Sequence, residues 1–84
     1  MPFAVFWSIP ARNNYMLAWM MAADQRGVES ARDEIDQLLS SDPQANGTHV
    51  AEGLWKVSVP PLLVHFDIDP AAGRVNVTQL DLVT

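Results

Sequence analysis

Residues 54–82 read LWKVSVPPLLVHFDIDPAAGRVNVTQLDL, and this stretch decides the fold. Its middle part is apolar at every second position, namely at Leu62, Val64, Phe66 and Ile68. A period of two puts these side chains on one face of a sheet and their mostly polar neighbours on the other. Pro60-Pro61, which cannot donate to a sheet ladder, and Asp69–Gly73, which contains a proline and a glycine, are turn signals. The stretch therefore predicts three consecutive strands with one apolar face that needs a cover.

The first half of the chain supplies elements that can cover this face. Phe3–Trp7 is β-rich and predicts a first strand, and Ser8, just ahead of a proline-containing turn, predicts the cap of a helix that runs to about residue 23. A second helix is predicted over about residues 28–40, followed by a polar loop over residues 44–53. Its buried stripe consists of Val28, Ala31, Ile35, Leu38 and Leu39. The expected fold is an α+β two-layer sandwich in the order β-α-α-β-β-β, with a helical hairpin packed on an antiparallel sheet.

Length and composition restrict the class of protein. The 84 residues, 49% of them hydrophobic, predict a single compact domain over residues 1–84. The absence of cysteine excludes a disulfide, a thiolate zinc site and a thiol nucleophile. No metal site and no cofactor are predicted.

The charge of the chain argues against one class of ligand. The formal net charge is -5, and the five Lys and Arg residues are dispersed rather than clustered. Because nucleic-acid binding depends on clustered cations, direct nucleic-acid binding is not expected. No apolar run approaches the roughly 20 residues of a membrane span, and the start of the chain lacks the cationic segment of a signal peptide. A cytoplasmic protein without membrane contact is expected.

Three local patterns, in order, resemble the RelE/ParE superfamily of type II toxin–antitoxin toxins. Trp7–Ala11 is similar to the family's first strand where it enters the helix, and Ile35–Leu39, followed by Asp42-Pro43 and then Gly47, is similar to its approach to the sheet. Leu63–Asp69 followed by Gly73–Val77 resembles the family's final hairpin. The resemblance spans nearly the whole chain and implies the family's fold, a toxin-like role and a cognate antitoxin as partner.

Departures from the family pattern bear on the mechanism. Leu63 stands where the family usually has an arginine, only Lys56 remains of the basic residues on the preceding strand, and residues 81–84 lack the Tyr, His or Arg that often completes the catalytic set. Cleavage of messenger RNA by that route needs cations at the scissile phosphate and a group that handles the hydroxyl proton. The leading hypothesis is a toxin-like domain that acts by protein binding, as in the gyrase-directed branch of the family, or a degenerate member. The alternatives are a ribosome-dependent mRNA endoribonuclease with unconventional residues and a non-toxin oligomeric interaction domain.

The weak catalytic candidates are His65, Lys56 and Arg74. His65 shares its predicted sheet face with Asp67 and Asp69, so a His–Asp pair or a metal ligand is conceivable, but a solvated polar row is the simpler interpretation. Lys56 and Arg74 are the only cations in the predicted sheet and hence the candidates for a phosphate contact. Pairing with nearby carboxylates is the simpler role for both.

Large apolar side chains are too numerous for so small a core. The set comprises Trp7, Tyr15, Met16, Leu17, Trp19, Met20, Met21, Leu54 and Trp55. A thin single-layer domain cannot bury all of them, which predicts an exposed surface for a protein partner or for homo-oligomer formation. The residues predicted to bind the partner are Met16, Trp19, Met20 and Trp55, because methionine adapts to varied surfaces and tryptophan anchors interfaces.

Overall fold

A computed structural model describes residues 2–83, so the ends of the predicted domain, Met1 and Thr84, lie outside it. The elements are β1 (Ala4–Trp7), α1 (Ile9–Met21), α2 (Gln25–Ser41), α3 (Pro43–Asn46), β2 (Thr48–Ala51), β3 (Leu54–Val59), β4 (Leu62–Asp69) and β5 (Arg74–Leu82). One sheet has the order β1-β5-β4-β3-β2, and the helices pack on one of its faces. The α+β class, the helical hairpin and the three-strand meander β3-β4-β5 are confirmed.

The sheet differs from the expectation in two respects. Thr48–Ala51 forms a strand inside the predicted polar loop, and it pairs antiparallel with β3 with a bulge between His49 and Ala51. All four of its residues are exposed, so no alternation marks it in the sequence; Gly53, at φ 75, makes the turn into β3. In addition β1 pairs parallel to β5. Two helices separate β1 from the meander, and an apolar pattern carries no information about strand direction.

The start of α1 follows the predicted capping by Ser8, whereas α2 starts at Gln25, three residues before the predicted start, with Asp24 as its cap. Ser8 Oγ accepts a hydrogen bond from the amide of Ala11 at 3.2 Å, and Asp24 Oδ1 accepts one from the amide of Gly27 at 3.0 Å. Each oxygen satisfies a donor that the first helical turn leaves free. The helices end at Met21 and Ser41, within two residues of the expected positions.

The core lies between α2 and the covered face of the sheet. The predicted stripe of α2 is buried at Val28, Ala31, Ile35 and Leu39, with Leu38 half-buried. Opposite it lie the fully or almost fully buried Leu62, Val64, Phe66, Val75, Val77 and Leu80. In contrast, α1 buries only Ala11 and Ala18. Small side chains on the buried side bring α1 close to β5. Tyr15 and Trp19 are half-buried against the core, whereas Met16, Leu17, Met20 and Met21 are exposed.

Candidate functional site

A groove of about 400 Å³ lies between α1 and α2. Its lining consists of Trp7, Arg12, Tyr15, Met16, Trp19, Glu29 and Arg32. Three of these side chains are aromatic, and the charged ones are two arginines and one glutamate. An aromatic hollow with a few charged groups is suited to holding an apolar anchor of a partner molecule.

Trp7 organises the floor of this groove. Its indole Nε1 donates a hydrogen bond to Asp36 Oδ1 at 2.8 Å, which satisfies the only polar atom of an otherwise buried side chain. The guanidinium of Arg32 lies 4.9 Å from the centre of the Trp7 ring and 4.6 Å from that of Tyr15. The Trp7 and Tyr15 rings meet edge to face, with centroids 6.4 Å apart. These contacts tie β1, α1 and α2 together and fix the groove in place before any partner arrives.

The sequence did not single out Arg32 and Asp36 as part of a site. Both lie on what the helical pattern assigns to the wet side of α2, where charged residues are ordinary. The sequence does contain one indication of such an acceptor, because a tryptophan that is buried on an edge strand needs a hydrogen-bond acceptor. The acceptor's position depends on how α2 crosses β1, which no local pattern encodes.

A second hollow of about 420 Å³ continues from the groove along β1. Val5, Trp7, Arg32, Asp36, Gln37 and Ser40 line it. Because β1 is the edge strand, it pairs only with β5. The amides of Ala4 and Ser8 point to β5, where they donate to Gly73 and Val77, so by alternation those of Val5 and Trp7 point outward. The groove therefore runs beside an open stretch of sheet edge.

The predicted partner-binding residues are distributed over two places. Met16 and Trp19 line the groove, and Met20, 63% exposed, follows Met16 by one helical turn. Trp55 lies instead on β3, half-buried on the helix-covered face, where its ring meets that of His49 at 5.0 Å. Three of the four residues thus lie together on α1, and Trp55 is engaged with the β2 edge.

The uncovered face of the sheet brings two of the weak catalytic candidates together. Lys56 on β3 lies directly opposite His65 on β4, and His65 lies opposite Gln79 on β5. The Nδ1 atom of His65 is buried and lacks a hydrogen-bond partner among residues 2–83. A hollow of about 470 Å³ beside Lys56 is lined also by Asn46, Thr48, Ser58 and Leu63. The position predicted to lack a cation, Leu63, therefore contributes an apolar wall.

The third catalytic candidate lies apart from these two. Arg74 is at the start of β5, and its guanidinium lies 4.7 Å from the ring of Phe6 on β1. The carboxylates near His65 have other partners: Asp67 accepts from Asn76 Nδ2 at 2.8 Å, and Asp69 accepts from the amide of Ala72. Within residues 2–83 no three His, Asp or Glu side chains are placed to hold a metal ion. Among residues 2–83, Nδ1 of His65 therefore makes no hydrogen bond to either carboxylate.

The helices of the described part of the chain are too short or too polar to cross a membrane.

Comparison with known proteins identifies the fold through structure rather than sequence. No protein family model and no curated protein matches the chain. Among solved structures, the chain is similar to the RelBE2 toxin–antitoxin complex from Mycobacterium tuberculosis, with a TM-score of 0.82 at 16% identity over 98% of this chain and 99% of the other. It is similar to the chromosomal ParDE system from P. aeruginosa, with a TM-score of 0.64 at 12% identity over 98% and 97% of the two chains. The isolated RelE toxin of E. coli gives a TM-score of 0.58 at 11% identity over 98% and 85%. The order β-α-α followed by a meander, together with these likenesses over nearly the full chain, shows that the protein has the RelE/ParE toxin fold.

Proposed function

We propose that this chain is the toxin-like component of a toxin–antitoxin pair and that it acts by binding another protein. The proposal is supported by the fold, whose solved examples include the RelBE2 complex, a toxin bound to its antitoxin. The observation that carries it is the aromatic groove between α1 and α2 beside the open edge of β1.

The predicted partner-binding residues of α1 and the groove form one continuous region. Met16 belongs to both, Trp19 reaches the groove from the next turn, and Met20 extends the region outward. An apolar region of this kind on a small domain is typical of an interaction site. An antitoxin segment with one apolar or aromatic anchor would bury that anchor against Trp19 and Tyr15.

The edge strand indicates how such a segment would be oriented. The outward amides of Val5 and Trp7 allow an extended segment to add to β1 by main-chain hydrogen bonds. The edge is closed at Phe3, whose amide donates to the carbonyl of Ser40 at 2.7 Å. The added strand would therefore cover about Val5–Trp7 and place alternate side chains in the hollow along α2.

Charge indicates the chemistry of the partner segment. Glu29, Asp33 and Glu34 are exposed acidic residues of α2, and Glu29 also lines the groove, together with Arg12 and Arg32. Because the chain as a whole carries a formal net charge of -5, a partner of net positive charge would be attracted to it, and the association would weaken as salt rises.

The test is co-expression of the chain with the product of a neighbouring short reading frame, combined with a growth assay on induction. Met20→Glu should abolish co-purification of the neighbouring product, and Val50→Glu, the same kind of change at an exposed apolar residue on β2, should leave it intact. Growth arrest on induction that the neighbouring product relieves is the expected phenotype. A chain that neither slows growth nor retains the product contradicts the proposal.

A ribonuclease is the second candidate function, because Lys56, which lines a hollow, lies directly opposite His65 on the next strand. Only one cation is present there, and Leu63 adds none, so cleavage of messenger RNA in a translating extract is not expected. Primer extension on such an extract measures this directly. Codon-phased cuts that disappear in Lys56→Ala but persist in Arg74→Ala, remote from the hollow, would establish the enzyme instead.

A further inference from the structure

The outward side of α1 carries a row of mostly apolar residues that extends beyond the lining of the groove. Its residues follow the spacing of one helix face: Ile9, Asn13, Met16 and Met20, with Leu17 and Met21 alongside. The apolar members are largely exposed: Ile9 by 72%, Met16 by 60%, Leu17 by 55%, Met20 by 63% and Met21 by 78%. We name these six residues the α1 stripe, and we propose that a second copy of this chain binds it, so that the free protein is a homodimer with α1 packed against α1.

The area of the stripe is sufficient for a dimer. At these exposures the five apolar residues present about 600 Å² in each copy, so that two copies facing each other would bury at most about 1,200 Å², the lower end of stable interfaces. The same area is at the upper end of what monomeric proteins leave uncovered.

Electrostatics selects this face over the rest of the surface. Two chains of net charge -5 repel each other, and the ten Asp and Glu residues responsible all lie outside α1. Arg12 is the one charged residue between Ile9 and Met21. Two copies that meet through α1 therefore keep their acidic groups apart, which a contact through α2 would not.

The spacing of the stripe is self-complementary under two-fold symmetry. In an antiparallel pair centred between Asn13 and Met16, Ile9 of one copy lies opposite Met20 of the other, and Asn13 lies opposite Met16. The two Asn13 side chains are then offset by about 4.5 Å along the helix axis, since each residue rises 1.5 Å. They are close enough to bond to each other across the axis, which would fix the register in the way that a buried asparagine does in coiled coils.

A second copy and the proposed antitoxin segment share Met16 and Met20 and therefore exclude each other. This consequence rests on the proposed function, whereas the dimer itself does not. A substitution at Ile9 distinguishes binding of the second copy from binding of the antitoxin segment, because Ile9 belongs to the α1 stripe but does not line the groove.

Sedimentation equilibrium of the purified chain tests the dimer. The unmodified chain should sediment as a dimer over micromolar to millimolar concentrations, and Ile9→Lys and Met20→Lys should each raise the dimer dissociation constant by about tenfold or more. Val50→Lys, a matched exposed apolar residue on β2, should not change it. A monomeric wild-type chain, or a dimer that Ile9→Lys and Met20→Lys leave intact, overturns the inference.

The absence of cysteine provides an independent measurement of the register. Asn13→Cys should form a disulfide-linked dimer on mild oxidation, which a non-reducing denaturing gel detects. Ser30→Cys, exposed on α2, should run as the uncross-linked chain on the same gel. Equal cross-linking of both variants would overturn the α1 assignment. Because Ile9→Lys leaves the groove intact, it should still bind the neighbouring gene product, so failure of the dimer and failure of the antitoxin proposal give different results.

Discussion

Replacement of Gly47 by alanine tests how the end of the helical layer meets the sheet. Gly47 has φ -102 and ψ 170, which any residue adopts, so the substitution adds a methyl group without straining the backbone. A Cβ atom at this position would lie 2.6 Å from Phe66 Cζ and 2.8 Å from the carbonyl oxygen of Pro43. One of these neighbours is a fully buried ring and the other is main chain, so neither can move away freely.

The expected loss follows from two opposing effects. Overpacking a filled core costs about 1–3 kcal/mol. Replacing glycine by alanine restricts the unfolded chain and returns about 0.4–1 kcal/mol. The net destabilisation is about 1–2 kcal/mol, and since 1 kcal/mol shifts the midpoint of a domain of this size by about 4–8 °C, Gly47→Ala should lower Tm by about 5–15 °C.

Thermal and urea unfolding followed by circular dichroism measure this change. Gly27→Ala is the matched control, because its added Cβ also has a neighbour at 2.6 Å, but that neighbour is Oδ2 of the exposed Asp24 side chain. It should be close to neutral, because displacement of the Asp24 cap costs about 1 kcal/mol and the preference of the helix for alanine over glycine returns a similar amount. Phe66→Leu should relieve part of the penalty of Gly47→Ala, with a coupling of about 0.5 kcal/mol or more. If Gly47→Ala unfolds at the wild-type temperature, or if Phe66→Leu gives no relief, the packing described here is wrong.

Three further substitutions have defined outcomes. Phe66→Ala should cost about 3–5 kcal/mol by urea unfolding, a large part of the roughly 4–13 kcal/mol available to a domain of this length; an unchanged midpoint would contradict the core described above. Ser8→Ala should cost about 1 kcal/mol because the amide of Ala11 loses its acceptor, and Ser8→Asp should restore most of it. Trp7→Phe should cost about 1–2 kcal/mol through loss of the 2.8 Å bond to Asp36, a loss that should vanish in an Asp36→Leu background if the bond is its cause.

The parts of the fold that could be predicted are those encoded in local spacing. The alternation at Leu62–Ile68 and the helical spacing of Val28–Leu39 each predict which side chains of the element are buried. Ser8 predicts the start of the first helix because it can cap a free amide. The strand Thr48–Ala51 is not predicted because all its residues are exposed, so no alternation marks it. It forms by pairing with β3, where the ring of His49 contacts that of Trp55.

The candidate site could be predicted only in part for a related reason. Met16, Trp19 and Met20 stand out because one segment holds more apolar surface than a small domain can bury. The Trp7–Asp36 bond joins residues 29 positions apart, and Lys56 and His65 meet through strand register. The residue type alone places Trp55 among the predicted partner-binding residues with those of α1, whereas in the structure its ring contacts that of His49.

The composition of α1 supports the proposal that its outer surface binds a partner. Ala11 and Ala18 let the helix lie close on β5, but alanine side chains bury little apolar area, so this contact contributes less to folding than the Val, Ile and Leu stripe of α2 does. A chain selected only to fold would place its larger apolar residues on the buried side and polar ones outside. Here Met16, Leu17 and Met20 occupy the outside, where more than half of each side chain is exposed and adds little to the stability of the isolated chain. The proposed partner would bury these side chains further, so its binding would also stabilise the first helix.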